Sequence, residues 1–337
     1  MADAPERINI RHIASLVGVS HMTVSRVLSG HPSVRESTKQ RVMEVVEELN
    51  FRPNSAAREL ATRRTRRIGV MIESAAMSGP ESALRYVEIA ARAIGYSVTS
   101  VALQSEEGLG TAEAVGQLTA QGIDGLCVVA PRSSSVAALR RIRIDVPVLV
   151  VKADSDPTFL TASADQRSGA DLVVDHLVGL GHRDIVHVAG PLDWLDARAR
   201  ERAFHARMKE WGHRERPIVV GDWSSDFGYD WARRLTRIPD YTAIFAANDQ
   251  MAMGILHGLH EAGIRVPEDI SVVGFDDLEL ARHTLPPLTT VRQNFAELGR
   301  VVVESLRAAA EGEDIPQRTL VPVELIARGS TAAPRSR

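Results

Sequence analysis

From Ile68 onward the chain alternates between short apolar runs and helix-length segments, and no other feature constrains its fold as tightly. Ile68-Gly-Val-Met-Ile72 is the first such run; others follow at 97–102, 126–130, 147–151, 184–189, 218–220, 243–246 and 270–275. Most are apolar nearly throughout and rich in β-branched residues, the pattern of strands buried on both faces. The segments between them are rich in Ala, Leu and Arg. Strands joined by helical crossovers run parallel, so the expectation is an α/β body of doubly wound parallel sheets with helices on both faces. Roughly 260 residues carrying two sets of strands imply two similar lobes.

The head of the chain has a different period. Ile10, Ile13, Ala14 and Val17 share one helical face, and Gly18-Val-Ser20 interrupts it. Gly sits where helices stop, and Ser20 suits the N-cap of a second helix over 21–29. There Val24, Val27 and Leu28 form an apolar stripe, leaving His21, Met22, Ser25 and Arg26 off it. Gly30-His-Pro32 ends this helix, and a third over 36–49 turns Val42, Val45, Val46 and Leu49 inward. Two short helices across a glycine turn, braced by a third, make a helix-turn-helix, which presents its second helix to a DNA major groove. Residues 1–67 hold 12 Lys/Arg and 7 Asp/Glu, a net of +5 in a chain whose total is −3. The remainder therefore carries −8, and a basic head on an acidic body fits a polyanion partner at one end only. A small helical bundle with a basic surface is the other reading; the polar face of the second helix favours DNA.

Residues 50–67 follow as a connecting segment. Asn50-Phe-Arg-Pro53 is a breaker, since Pro53 biases Arg52 away from helix. Asn54 can cap a short helix over 55–62, after which Arg63-Arg-Thr-Arg-Arg67 places four arginines in five residues. Leu60, among Ala56, Ala57 and Ala61, makes a poor core and a reasonable wedge or dimer contact.

Several chemistries are excluded. The single cysteine, Cys127, forbids an internal disulfide and a cysteine-rich zinc module. No apolar run approaches the ~18 residues of a membrane span. The polar start, Met1-Ala-Asp-Ala-Pro-Glu-Arg7, has no apolar core of a secretory signal, so the expected location is cytoplasmic and the expected partners include no membrane. There is no P-loop, no complete Gly-x-Gly-x-x-Gly, no Gly-x-Ser-x-Gly and no His-Glu-x-x-His. His257 and His260 lack a third ligand, so neither a metal nor another cofactor is expected. Asp276-Asp277 is a carboxylate pair at a strand end. Neighbours in a strand point to opposite sides, which favours one carboxylate facing a ligand and one serving structure. A glycoside-cleaving pair remains open. The tail after Gly329 has no period and is expected to be disordered over 331–337.

Ile13-Ala-Ser-Leu-Val-Gly-Val-Ser-His-Met-Thr-Val-Ser-Arg-Val-Leu28 resembles the helix-turn-helix of the LacI/GalR family of transcription regulators, and Asn50-Phe-Arg-Pro-Asn-Ser-Ala-Ala-Arg-Glu-Leu60 resembles its hinge. Ala247-Asn-Asp-Gln-Met251, Asp269-Ile-Ser-Val-Val-Gly-Phe-Asp-Asp277 and Pro286-Pro-Leu-Thr-Thr290 extend the likeness over about residues 8–330. The resemblance implies a homodimer of chains with a helix-turn-helix domain (1–49), a hinge region (50–67) and a two-lobed ligand domain of periplasmic-binding-protein fold. The N-terminal lobe would comprise 68–164 and 294–321, and the C-terminal lobe 165–293 and 322–330, with crossovers near 164–166, 291–294 and 321–323.

Residue by residue, the resemblance places His21, Met22 and Arg26 at base-reading positions, with Arg26 the bidentate partner of a guanine. Ser20, Thr23, Ser25 and Asn50 are phosphate contacts, and Leu60 is a wedge for the minor groove of a pseudopalindromic operator. Arg200, Trp223, Asn248, Asp276, Gln293 and Phe295 match ligand positions. Their chemistry suits a sugar: Asp276 accepts from hydroxyls, Asn248 and Gln293 donate and accept, Arg200 offers a forked donor, and Trp223 a flat apolar wall. Asp277 would brace its loop and Arg198 serve the lobe interface. Lys152 departs from the pattern, standing where a relative carries a sugar-facing aspartate; a two-residue slip would put Asp154 there instead. The implied function is a repressor, not an enzyme, controlled by a small carbohydrate, with a galactoside-like inducer favoured. A corepressor relationship is the mirror alternative, and a stand-alone sugar-binding protein a further one.

Overall fold

Asn9 starts the first helix, its side chain accepting from the amides of Arg11 (2.9 Å) and His12 (3.0 Å). Helix α1 (Ile10–Val17) stops at Gly18, whose φ of 69° is the left-handed conformation in which glycine carries no Cβ penalty. Helices α2 (His21–Leu28) and α3 (Glu36–Glu48) follow. Ile13, Ala14, Val17, Val24, Val27, Val42 and Val46 form the core of this unit, with Ile10, Leu28, Val45 and Leu49 packed on its margin. The computed structural model describes residues 9–28, 33–49, 51, 64–73, 78–103, 110–129, 132–214 and 216–335. The chain divides at Thr65/Arg66 into this unit and a larger one. Asn50, Leu60 and the short helix expected over 55–62 lie outside the described residues.

The larger unit contains two parallel sheets. The first is built from β1 (Arg67–Glu73), β2 (Ser97–Leu103), β3 (Gly125–Val129), β4 (Val148–Val151), β5 (Leu160–Ala164) and β11 (Arg318–Val321), in the order β11-β5-β4-β3-β1-β2. All its pairings are parallel. Helices α4 (Ser78–Ala93) and α11 (Phe295–Glu311) cover one face through Val87, Ala91, Val302 and Leu306. Helices α5 (Thr111–Ala120) and α6 (Ser133–Leu139) cover the other through Val115, Leu118 and Leu139.

The second sheet repeats the plan. Strands β6 (Ile185–Ala189), β7 (Val219–Val220), β8 (Ala243–Ala246) and β9 (Ser271–Val273) are ordered β7-β6-β8-β9, again all parallel. Helices α7 (Gln166–Gly179) and α8 (Leu195–Glu210) lie on one face, and α9 (Ser225–Ala232) and α10 (Asp249–Glu261) on the other. A Cβ on Gly254 would stand 1.9 Å from the Ser225 carbonyl, so α9 and α10 meet backbone to backbone only because that position is glycine. The antiparallel pair β10 (Thr290–Gln293) and β12 (Val323–Ile326) runs beside this sheet. The chain leaves the first sheet between β5 and α7 (164–166), returns between β10 and α11 (293–295) and leaves again between β11 and β12 (321–323). Strand β5 and the elements β10 to β12 were not among the expected strands; Leu160-Thr-Ala-Ser-Ala164 is too small and polar to stand out by composition.

The tail corrects an expectation. Ser330 is buried, its hydroxyl donating to the Val272 carbonyl (2.6 Å) and accepting from the Thr289 amide (2.8 Å). The Ala332 carbonyl lies 2.9 Å from His182 Nε2, and Arg335 donates to the Pro239 carbonyl. Residues 331–335 are therefore held along the second sheet; their order comes from tertiary acceptors, which leave no periodic signal. No helix among the described residues is long and apolar enough to cross a membrane.

His187, in the middle of β6, makes this lobe sensitive to acid. Its Nδ1 donates to the Phe245 carbonyl (2.9 Å), its ring stacks on Phe245 with centroids 4.5 Å apart, and Nε2 is buried without a partner. Burial pulls its pKa down to about 3. The unfolded chain takes up this proton near the ordinary value of ~6.5 and the folded chain does not, so stability falls as pH drops below it. At pH 5 the loss from this group is about 2 kcal/mol. The drop in melting temperature between pH 7 and pH 5 should shrink in His187→Leu; an unchanged drop would assign the acid sensitivity elsewhere.

Candidate functional site

In the smaller unit the ligandable surface is α2. Ser20 caps it, accepting from the Thr23 amide (3.1 Å), and the two hydroxyls lie 2.9 Å apart. Val24 and Val27 turn inward, which leaves His21, Met22, Ser25 and Arg26 on the outer face. Met22 is 54% exposed and is not a core residue. The helix thus offers an imidazole, a thioether, a hydroxyl and a guanidinium within its first two turns, the part that reaches base edges in a docked helix-turn-helix.

In the larger unit a cleft of about 650 Å³, counted to its open mouth, lies between the two lobes. Open parallel sheets bind ligands beyond the carboxyl ends of their strands. The cleft follows that rule: Val129, Val151 and Ala164 end β3, β4 and β5, while Asn248 and Asp276 follow β8 and β9. Arg200, Trp223, Asn248, Asp276, Gln293 and Phe295, the six residues singled out from sequence, all line it.

A polar ring forms its floor. Gln293 Nε2 donates to Asp276 Oδ1 (2.6 Å), Gln166 Nε2 donates to Gln293 Oε1 (3.1 Å), and Arg200 Nε donates to Gln166 Oε1 (2.8 Å). Arg200 also donates to the Ala247 carbonyl, lies 3.8 Å from Asp276 Oδ1, and stacks 3.8 Å above the Phe275 ring. Its guanidinium is held on one face and at its edges, with little rotamer freedom left to lose on binding. Burial raises Asp276 to about 6 against the opposing pull of Arg200 and Gln293. Burial also pushes Asp249 well up, and this carboxylate anchors the loop: Thr290 Oγ1 donates to it at 2.6 Å and the Leu278 amide at 2.8 Å.

Trp223, Asp276 and Asp277 have φ of 75°, 117° and 55°. Non-glycine residues in this region are strained by about 1–3 kcal/mol each, and such strain gathers where side chains must be aimed. The expected division of the carboxylate pair is present, but through these dihedrals and not through strand alternation. Asp276 faces the cleft, while Asp277 binds Arg292 Nε (2.7 Å) and Arg328. Gly190 lets the Trp223 ring lie on the backbone, since a Cβ there would stand 2.3 Å from the indole.

Some of these residues also serve the fold, and others lie elsewhere. Asn248 caps α10, accepting from the Met251 amide (2.9 Å), and donates to the Trp223 carbonyl (3.0 Å), so it ties the Trp223 loop to the helix. Lys152 and Asp154 do not line the cleft. Lys152 is buried in an ion pair with Asp156 (2.7 Å), which Arg140 also meets (2.7 Å). Arg198 donates to Ser133 on the other lobe (3.2 Å), as expected of an interface residue. Among the lining residues that escaped sequence reading are Gln166, Trp194 and Asp196. Asp165-Gln166 marks the first crossover, a signal available in hindsight from the crossover itself. Trp194 and Asp196 sit at the start of α8, about one turn before Arg200, on the helix that brings Arg200 to the cleft.

A helix-turn-helix followed by a two-lobed unit with a polar cleft at its strand ends is the plan of a ligand-binding regulatory protein. Residues 9–54 match the family model of bacterial regulatory proteins of the lacI family, and 174–331 match a periplasmic binding protein-like domain. The chain belongs to the LacI family. It is 34% identical to the lactose operon repressor of Escherichia coli (strain K12), over 98% of this chain and 92% of that one. It is 31% identical to the ribose operon repressor of the same strain, over 95% and 99%. A crystal structure of the lac repressor dimer bound to operator and the anti-inducer ONPF superposes with a TM-score of 0.83 at 32% identity, covering 97% of this chain and all of the other.

Proposed function

We propose that this protein is a cytoplasmic transcriptional repressor that binds a pseudopalindromic operator as a homodimer and is released by a small carbohydrate, galactoside-like in its hydroxyl pattern. The observation that carries the reading is the convergence of Arg200, Trp223, Asp276, Gln293 and Phe295 on one interlobe cleft. In the head, His21, Met22 and Arg26 read bases, and Ser20, Thr23, Ser25 and Asn50 position the helix on phosphates. Leu60 wedges into the central minor groove, one from each subunit. Segments 68–164 with 294–321, and 165–293 with 322–330, act as the lobes.

We read the cleft as one that binds and does not cleave, since Asp277, the sequence neighbour of Asp276, is committed to Arg292 and Arg328 and the adjacent pair offers no second free carboxylate. For induction the sugar binds the DNA-released arrangement better, and operator weakens sugar by the same factor. The test is selection of the full-length protein against a random duplex pool, followed by titration of the winning duplex with sugars. A palindrome released by a neutral sugar is the expected result. A sugar that tightens the complex reverses the sign to corepression, and the absence of any enriched sequence overturns the operator reading.

A further inference from the structure

Three polar atoms in the cleft are shut off from solvent and have no partner: Trp194 Nε1, Trp223 Nε1 and Asp196 Oδ1. Buried polar groups of native proteins are paired almost without exception, and an orphan in a cleft marks where a ligand atom completes the bond. The Asp196 carboxylate is otherwise held by the Ala153 amide of the opposite lobe, so it is anchored at the seam where the lobes meet. The two indoles meet edge to face, 6.1 Å apart at 76°, and offer walls at right angles.

The charges around these atoms narrow the ligand. Arg200 is the cleft's cation, and it already faces Asp276. Lys152 might have balanced Asp196 by its place in sequence, but its ammonium is spent on Asp156 outside the cleft. With two carboxylates against one guanidinium, an anionic ligand meets net repulsion in a poorly solvated site.

Resting on the sugar-effector reading above, we infer that Asp196 is a specificity-determining ligand residue, accepting from a sugar hydroxyl while the Trp194 and Trp223 N–H groups donate to sugar oxygens, and that the effector is a neutral sugar and not an anionic one such as a sugar phosphate or a uronate. Asp196 and Asp276 grip hydroxyls from two elements of the same lobe, the start of α8 and the loop after β9.

The experiment titrates the full-length chain, by calorimetry and tryptophan fluorescence, with methyl β-galactoside, lactose, cellobiose, galactose 6-phosphate and galacturonate. A neutral member should bind saturably, and the charged ones should not compete with it. Asp196→Asn keeps the acceptor for the Ala153 amide and should weaken that sugar about 10- to 100-fold, the loss of one charge-assisted hydrogen bond. Monodeoxy analogues of the same sugar supply a second measurement on the unaltered protein. One deoxy position should cost affinity in the parent chain and nothing further in Asp196→Asn. Preferred binding of a phosphate or uronate overturns the inference while leaving a sugar effector standing. Unchanged affinity in Asp196→Asn, or no deoxy position coupled to it, overturns the assignment of Asp196. No response to any sugar overturns the effector reading and the inference with it.

Discussion

Asp276→Asn should bind operator as tightly as the parent chain and lose its response to sugar, with ligand affinity falling at least about 100-fold. Asp276 is 6% exposed, and one of its oxygens is committed to Gln293 and Arg200. Hydrogen bonds to a charged acceptor contribute about 1.5–3 kcal/mol each, so losing two hydroxyl contacts costs roughly 3–5 kcal/mol. The amide also removes the first of the counter-charges of Arg200 and turns a donor toward a ring already supplied with donors. Operator contacts reside in the other unit, which the substitution does not touch. The same carboxylate sets a pH profile. With its pKa at about 6, the charged form that accepts sugar hydroxyls dominates above that pH. As pH falls below 6 the free protein protonates Asp276, and sugar affinity should drop toward tenfold per unit; above pH 7 it should be flat. Calorimetry from pH 5 to 8 reads this directly. A profile without the acid limb in the parent chain would show that Asp276 does not meet the ligand as a carboxylate.

Arg26→Ala should lower specific operator affinity by about 2–6 kcal/mol in the dimer, since each subunit loses one bidentate guanine contact of about 1–3 kcal/mol. Arg26 stands on the exposed face of α2, and the core positions beside it, Val24 and Val27, are untouched by its removal. Titration of a selected operator against a scrambled duplex at one salt concentration distinguishes the possible roles. A large loss on operator with a small loss on the scrambled duplex identifies base reading. Equal losses on both would make Arg26 a phosphate contact, whose contribution is electrostatic and blind to sequence. Sugar binding should be unchanged in this variant.

The two halves of the molecule were legible to different degrees. The head was read almost completely, because its signals are local. Ser20 caps, Gly18 takes the left-handed turn, and valines at helical spacing bury themselves; the Asn9 cap is equally local but was not read. The strands of both sheets stood out where they are central and apolar, as in β1, β3, β4, β6 and β8. Strand β5 and the antiparallel pair β10 and β12 did not, since their residues are small or polar and are made strands by their neighbours. The tail past Gly329 failed for the same reason: Ser330 and Ala332 are ordered by Val272, Thr289 and His182, all distant in sequence.

The cleft shows where the boundary lies. Arg200, Trp223, Asn248, Asp276, Gln293 and Phe295 were identifiable in sequence through the family resemblance of the runs around them. By itself the sequence determined the secondary-structure alternation, the helix-turn-helix and the residue types brought to the ligand. Only the tertiary structure decided which atoms are already spent and which are left over. Asn248 becomes a helix cap and Lys152 an ion-pair partner of Asp156, while Asp196 and two indole N–H groups remain unpaired in the cleft. Hydrogen-bond capacity belongs to a residue type, but its availability depends on what the folded chain brings within about 3 Å of it.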